Sequence, residues 1–218
     1  YVTQTDTAIE QQYRDQIIHT YPDHQVFGEE LGGRLDSSKP TWILDPLDGT
    51  TNFSHQIPLY CSMAALQIEN EIVCAAVYAP ETDSLFSAAL GAGATLNGEP
   101  MPPPSSETDL HKSTLLLDSG KSAAARSDSF ALVHTSGATF RSFRKFGCMI
   151  APLLFAAQGK LDVAIIFGVD LYDVAGLSLI FDEAGYEVLG KAGKAWQKAE
   201  NTDFTLTTPL LKKSVQSL

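Results

Sequence analysis

The chain of 218 residues carries 26 acidic against 15 basic side chains, a net charge of −11, and 44% of its residues are hydrophobic. That length supports a large core, as one domain or two small lobes, while the acidic balance argues against a nucleic-acid-binding surface, which needs clustered Lys and Arg. No secretory apolar region and no apolar run of membrane-spanning length is visible, so a cytoplasmic protein with no membrane partner is expected. Cys61, Cys74 and Cys148 form no Cys-x-x-Cys pair and have no His cluster beside them. They read as small buried apolar residues rather than redox or zinc groups, with free thiols that fit a reducing compartment. The chain begins at Tyr1 rather than Met, so an upstream segment is expected to be absent from it.

In chain order, a first helix is expected from Asp6 or Thr7, because Thr7 and Glu10 have capping-box spacing. Ile9, Tyr13 and Ile17 recur on one face, and the helix stops before Tyr21-Pro22. Val26-Phe27 reads as a short strand delivering Glu29 to its end, and 31–39 as a polar, Gly-rich loop. Trp42-Ile43-Leu44 reads as the end of a buried strand, and a short helix opens at Thr50. Strands over 62–68 and 72–78 form a hairpin around Glu69-Asn70-Glu71. A strand over 85–89 pairs next, and Gly91, Gly93 and Asn97-Gly98 punctuate a meander. The pairs Ala64-Ala65 and Ala75-Ala76 leave room for a helix to approach closely.

Pro102-Pro103-Pro104-Ser105-Ser106 is stiff and polar, and divides the chain into an N-terminal α+β lobe, 1–104, and a C-terminal α/β lobe, 105–218. In the second lobe 115–117 is a strand and 123–133 a helix. The basic stretch 140–146, with Arg141, Arg144 and Lys145, reads as a solvated strand edge in preference to a phosphate-steering patch. A helix over 149–158 has Pro152 in its first turn and Gly159 as its stop. A buried strand spans 163–167, and Asp173 starts a helix with Val174, Leu177, Ile180 and Phe181 inward. Strands over 186–189 and 204–207 and a short terminal helix after Pro209 complete the chain.

The segment around which the rest is organised is Asp45-Pro46-Leu47-Asp48-Gly49-Thr50. Pro46 locks its φ and holds two carboxylates at a strand end. Paired carboxylates suit divalent metals that prefer oxygen, and the amides that follow suit a phosphate. A plain Asp/Pro/Gly turn is the alternative for this stretch taken alone. Glu29, Asp45, Asp48 and Asp173 brought together would repel one another and remain ionised only if cations neutralised them. Oxygen ligands without imidazole or thiolate favour Mg2+, with Mn2+ as the alternative.

Together with Gly28-Glu29-Glu30 and Leu171-Tyr172-Asp173-Val174-Ala175-Gly176, the stretch resembles the inositol monophosphatase family, from Val2-Thr3-Gln4-Thr5-Asp6 to the C-terminal region. The resemblance implies an α/β fold, an α+β layered sandwich of two sheets with intervening helix layers as in sugar phosphatases. It implies two or three Mg2+ ions: Asp45 bridging two, Glu29 and the Leu47 carbonyl completing one site, Asp48 and Asp173 the other, and a third, weaker ion near Glu29. The Gly49 and Thr50 amides would hold the phosphate, Thr50 the attacking water, and Asp6 would pair with Thr50, a cap being the other role open to Asp6. Glu29, Thr50 and Asp6 are thus the catalytic candidates. Asp48, Gly49, Thr50, Gly147, Cys148, Met149 and Asp173 are the substrate-binding candidates. Gly147-Cys148-Met149 is bulkier and less polar than the family's stretch, Ile166 stands where an acid contacts inositol hydroxyls, and Tyr172 replaces a Trp. The expected activity is Mg2+-dependent, lithium-sensitive hydrolysis of a small phosphorylated polyol, in a homodimer. A 3′,5′-bisphosphate nucleotidase, another sugar or histidinol phosphatase, and a non-catalytic phosphosugar-binding or protein-interacting member are the alternatives.

Overall fold

A computed structural model of the protein describes residues 4–36, 38–190 and 202–218, so Val2 and Thr3 lie outside the described residues. Helix α1, Gln4–Thr20, precedes strands β1, Gln25–Gly28, β2, Gly32–Gly33, and β3, Thr41–Asp48. A short α2, Thr50–Ser54, leads into β4, Cys61–Ile68, β5, Glu71–Ala79, β6, Ser84–Ala89, β7, Gly93–Leu96, and β8, Glu99–Pro100. These strands make one sheet in the order β2-β1-β3-β4-β5-β6-β7-β8. Only β1 and β3 run parallel in it, with Gly28 opposite Leu44.

Beyond the proline-rich connector come β9, Thr114–Ser119, α3, Ala123–Ser136, β10, Ser142–Arg144, α4, Ile150–Ala156, and β11, Val163–Val169. Helix α5, Leu171–Glu183, β12, Glu187–Leu189, β13, Thr202–Thr207, and α6, Lys212–Val215, follow. The second sheet has the order β10-β9-β11-β13-β12, with β10, β9 and β11 parallel and the last two pairings antiparallel. Along β9 the pleat sends Leu116 to the core that faces the first sheet, and Leu115 and Leu117 to a smaller core under Phe140, Leu211 and Val215.

Helix α5 lies between the layers. Val174 through Phe181 are all buried, which is how a helix reads when it is covered on every side. It packs on β3 to β7 of the first sheet and on β12. Gly176 faces that sheet, where an added Cβ would stand 3.7 Å from Ala75 Cβ and 3.8 Å from the Ala64 carbonyl oxygen. Small residues on both surfaces therefore set the distance between helix and sheet. At the far end of the helix the Glu183 carboxylate accepts the Gly91 amide at 2.6 Å and the Gly93 amide at 2.7 Å.

Three local expectations are corrected. Helix α1 already includes Gln4 and Thr5, so Asp6 and Thr7 do not start it, and Thr7–Glu10 is no capping box. Its buried residues are Asp6 and Glu10, whereas Ile9, Tyr13 and Ile17 are only half-buried. Those carboxylates can be buried because backbone amides and side chains of neighbouring segments satisfy them. Asp173 is the third residue of α5; the cap is Asp170, and the two form a reciprocal capping box. The basic stretch contributes only β10, an edge strand. Among the described residues no helix is long and apolar enough to cross a membrane.

Gly176→Ala is expected to leave stability unchanged or raise it by up to about 1 kcal/mol, because the new methyl meets ordinary contacts and Ala favours a helix. Gly176→Leu is expected to cost about 1–3 kcal/mol by wedging α5 from the sheet. Urea unfolding of both variants checks this.

Candidate active site

Pro46 donates no ladder hydrogen bond, and the pairing of β3 with β4 slips there: Asp45 pairs with Met63, but Asp48 with Cys61. Three steps along β3 match two along β4. The bulge breaks the alternation of faces, and both carboxylates line one cavity of about 540 Å3. Asp45 is 1% exposed, and its Oδ1 accepts the Leu47 amide at 3.0 Å. Asp48 Oδ2 accepts the Met149 amide at 2.5 Å and lies 3.7 Å from Cys61 Sγ. Gly49 then turns the chain into α2 with φ +85°, and an added Cβ would lie 2.9 Å from the Leu59 carbonyl oxygen and 3.1 Å from Cys148 Cβ. Both the conformation and the space require glycine there.

The other two acids come from separate elements. The parallel β1–β3 pairing carries Glu29 past the end of β1, where its amide donates to the Leu44 carbonyl at 3.1 Å. Asp173 arrives on the first turn of α5, its Oδ2 accepting the Asp170 amide at 2.8 Å. Glu29, Asp45, Leu47, Asp48, Gly49, Thr50 and Asp173 all line the cavity. Asp6 stands behind it, fully buried, with Oδ1 3.3 Å from the Thr50 hydroxyl, which is also 3.1 Å from the Leu47 carbonyl oxygen. One hydroxyl proton serves one of these acceptors at a time.

Of Gly147, Cys148 and Met149, the first and last line the cavity. Cys148 is buried beneath it, and Ile166 belongs to the apolar core. Tyr172 donates its hydroxyl to Asp170 at 3.0 Å. Sequence reasoning missed Asp118, Ser119, Lys121 and Arg126 on the opposite wall, and Lys145, read in the sequence as part of a solvated strand edge in preference to a phosphate-steering patch, also lines it. Lys145 donates to Asp118 Oδ1 at 2.8 Å and to Ser119 Oγ at 3.0 Å, while Lys121 pairs with Glu29. The available signal was Asp118-Ser119-Gly120-Lys121 at the end of a predicted strand, the place where open α/β sheets present functional groups.

Burial, then the charges of Asp48, Glu29 and Asp173, pushes Asp45 well above the usual carboxylate range. Burial pushes Asp48 up to about 7 and Asp173 up to about 8. Burial also raises the Cys61 thiol, which keeps its proton and can donate weakly to Asp48. Among the described residues no Lys or Arg pairs with Asp45, Asp48 or Asp173, and no three acidic, His or Cys side chains form a ready-made metal cage. Each of those three acids spends one oxygen on a backbone amide, and Glu29 spends one on Lys121. The donor set, hard oxygens with unbalanced negative charge, fits Mg2+ or Mn2+ and does not fit a soft metal.

The raised values have a consequence for stability. Over the window between the ordinary carboxylate pKa near 4 and the folded-state values of about 7 and 8, the folded protein keeps protons that the unfolded chain has released. Stability of the metal-free protein is therefore fully present below that window and declines as pH rises through it. Urea midpoints should fall from about pH 5 to about pH 8, and Asp45→Asn should flatten the decline.

The Inositol monophosphatase family profile matches residues 1–215. An inositol monophosphatase of Dictyostelium discoideum is 35% identical over 198 residues, covering 88% of this chain and 72% of the relative. Nus factor SuhB of Salmonella typhimurium is 32% identical over 189 residues, covering 85% of this chain and 70% of that protein. The solved structure of inositol monophosphatase from Anabaena (Nostoc) superposes with a TM-score of 0.88 at 27% identity, covering 99% of this chain and 86% of the other. This chain therefore has the fold of that structure, seen here as an α/β fold with two mixed sheets and, among the described residues, six α-helices. The chain belongs to the inositol monophosphatase family, whose members are generally metal-dependent phosphomonoesterases.

Proposed function

We propose that this protein is a Mg2+-dependent phosphomonoesterase acting on a small phosphorylated polyol. The observation that carries the reading is the convergence of Glu29 after β1, Asp45 and Asp48 at the bulged end of β3, and Asp173 on α5 on one cavity beside the Gly49–Thr50 turn. Glu29, Asp45, Asp48, Asp173 and the Leu47 carbonyl would hold the ions. Bound there, the ions would supply neutralising charge to the phosphoryl oxygens and acidity to a water.

The chain's own groups would do the positioning that phosphoryl transfer chiefly needs. The first-turn amides of α2 have no intrahelical partner and would hold phosphate oxygens. The Thr50 hydroxyl, backed by Asp6, would orient the attacking water and keep a proton path toward a buried carboxylate. Gly147 and Met149 would bound the leaving-group side of the cavity. A second reading, a substrate with a further phosphate, is favoured by Lys121, Arg126 and Lys145 on the opposite wall.

A phosphate-release screen separates these readings. Inositol 1-phosphate, fructose 1,6-bisphosphate, histidinol phosphate and adenosine 3′,5′-bisphosphate would be assayed with and without Mg2+. Mg2+-dependent release from inositol 1-phosphate above the others is expected, and lithium should reduce it. Asp45→Asn should lose activity by about a hundredfold or more with the fold retained, since even groups that only support a ligand cost that order. No metal-dependent release from any compound would overturn the enzymatic reading in favour of a binding or protein-interacting role.

A further inference from the structure

Glu10 sits in the middle of α1, is 0% exposed, and touches no part of the cavity. Its Oε2 accepts the Glu30 amide at 2.8 Å, and both carboxylate oxygens lie 3.3 Å from the Leu31 amide. Arg14, one turn later, donates Nε to Glu10 Oε1 at 2.8 Å, pairs with it through Nη2 at 2.6 Å, and reaches on to the Gly32 carbonyl. The segment therefore gives two amides to a carboxylate and one carbonyl to the guanidinium neutralising that carboxylate.

Gly28 completes the arrangement from the other side. A Cβ there would lie 2.1 Å from Glu10 Oε1 and 2.3 Å from Glu10 Cδ, so the carboxylate occupies the space a side chain would take. Residues 28, 30, 31 and 32 are thus each fixed by, or fitted around, the Glu10–Arg14 pair, and residue 29 is the one between them whose side chain enters the cavity. A buried ionised carboxylate is costly unless its hydrogen bonds are met, and here charge-assisted bonds meet them. One turn before Glu10, on the same helix face, Asp6 meets Thr50.

We propose that Glu10 is a positioning residue: it sets where the Glu29 carboxylate stands and thereby the affinity of the protein for the divalent cation that Glu29 helps to hold. The proposal rests on the reading of Glu29 as a metal ligand. Its signature is non-additivity, because a group that acts only through Glu29 has nothing left to contribute once Glu29 is neutralised.

The test is calorimetric titration of the metal-stripped full chain with Mn2+ and with Mg2+. The proteins compared are the wild type, Glu10→Gln, Glu29→Gln and the double variant, each checked by circular dichroism and thermal melting. Glu10→Gln keeps the volume but removes the charge that holds the amides and Arg14. It should weaken binding by about tenfold, as loss of a ligand-supporting group does. The double variant should bind no more weakly than Glu29→Gln alone. Wild-type affinity in a folded Glu10→Gln protein, or losses that multiply in the double variant, would overturn the proposal. Unchanged affinity in Glu29→Gln would overturn the functional reading beneath it. If Glu10→Gln does not fold, Gly28→Ala, which displaces the same carboxylate from outside, should show the same weakening, and wild-type affinity there would refute the inference.

Discussion

Like charges held out of water at the bulged end of β3 are the constraint on which this structure turns. Asp45 has almost no contact with solvent, and Asp48, Glu29 and Asp173 all add to the energy of ionising it. A fold stabilised by apolar burial alone would avoid such a place, since unpaired buried charge costs several kcal/mol. Here the cost is localised where one β-ladder loses its regular pairing, beside a glycine that no other residue can replace without a clash. Unbalanced negative potential concentrated in one cavity is what a binding site for a cation requires.

The remainder of the fold makes that concentration tolerable. The parallel pair β1–β3 brings Glu29 alongside Asp45 without a long loop, and α5 is anchored along its length by apolar contacts between the two layers. The carboxylates that cannot be relieved by solvent are met one by one by main-chain amides: Leu47 for Asp45, Met149 for Asp48, Asp170 for Asp173. Each such bond orients one oxygen inward. The acids are held by backbone rather than by one another, so their arrangement survives their mutual repulsion.

Much of this could be read in the chain itself, for definable reasons. The Asp-Pro-Leu-Asp-Gly-Thr stretch carries its geometry in its own residue types, because Pro and Gly restrict or require particular backbone conformations. The hairpin of β4 and β5 and the buried run of α5 follow from alternation and from unbroken hydrophobicity. What escaped was polar and non-local. Periodicity counts apolar residues, so α1 was assigned the face of Ile9, Tyr13 and Ile17, while its buried face belongs to Asp6 and Glu10, whose partners lie 44 and about 20 positions away. Lys145 looked like any exposed basic residue until β10 and β9 lay side by side and placed it against Asp118. The sequence reads Asp173 as the start of α5 because the cap, Asp170, and its third-residue partner are both acidic.

The Glu183 clamp on the turn after β6 gives α5 a fixed point at each end. Asp173 and Glu183 lie ten residues apart on the helix, so by the usual rise it bridges roughly 15 Å between Asp173 and the β6–β7 turn. A rod gripped at both tips and packed along its sides cannot fray from one end independently of the other. The β6–β7 turn is thereby tethered mechanically to the acidic cavity, and distant strands of the sheet become ballast that keeps a charged cleft from working loose.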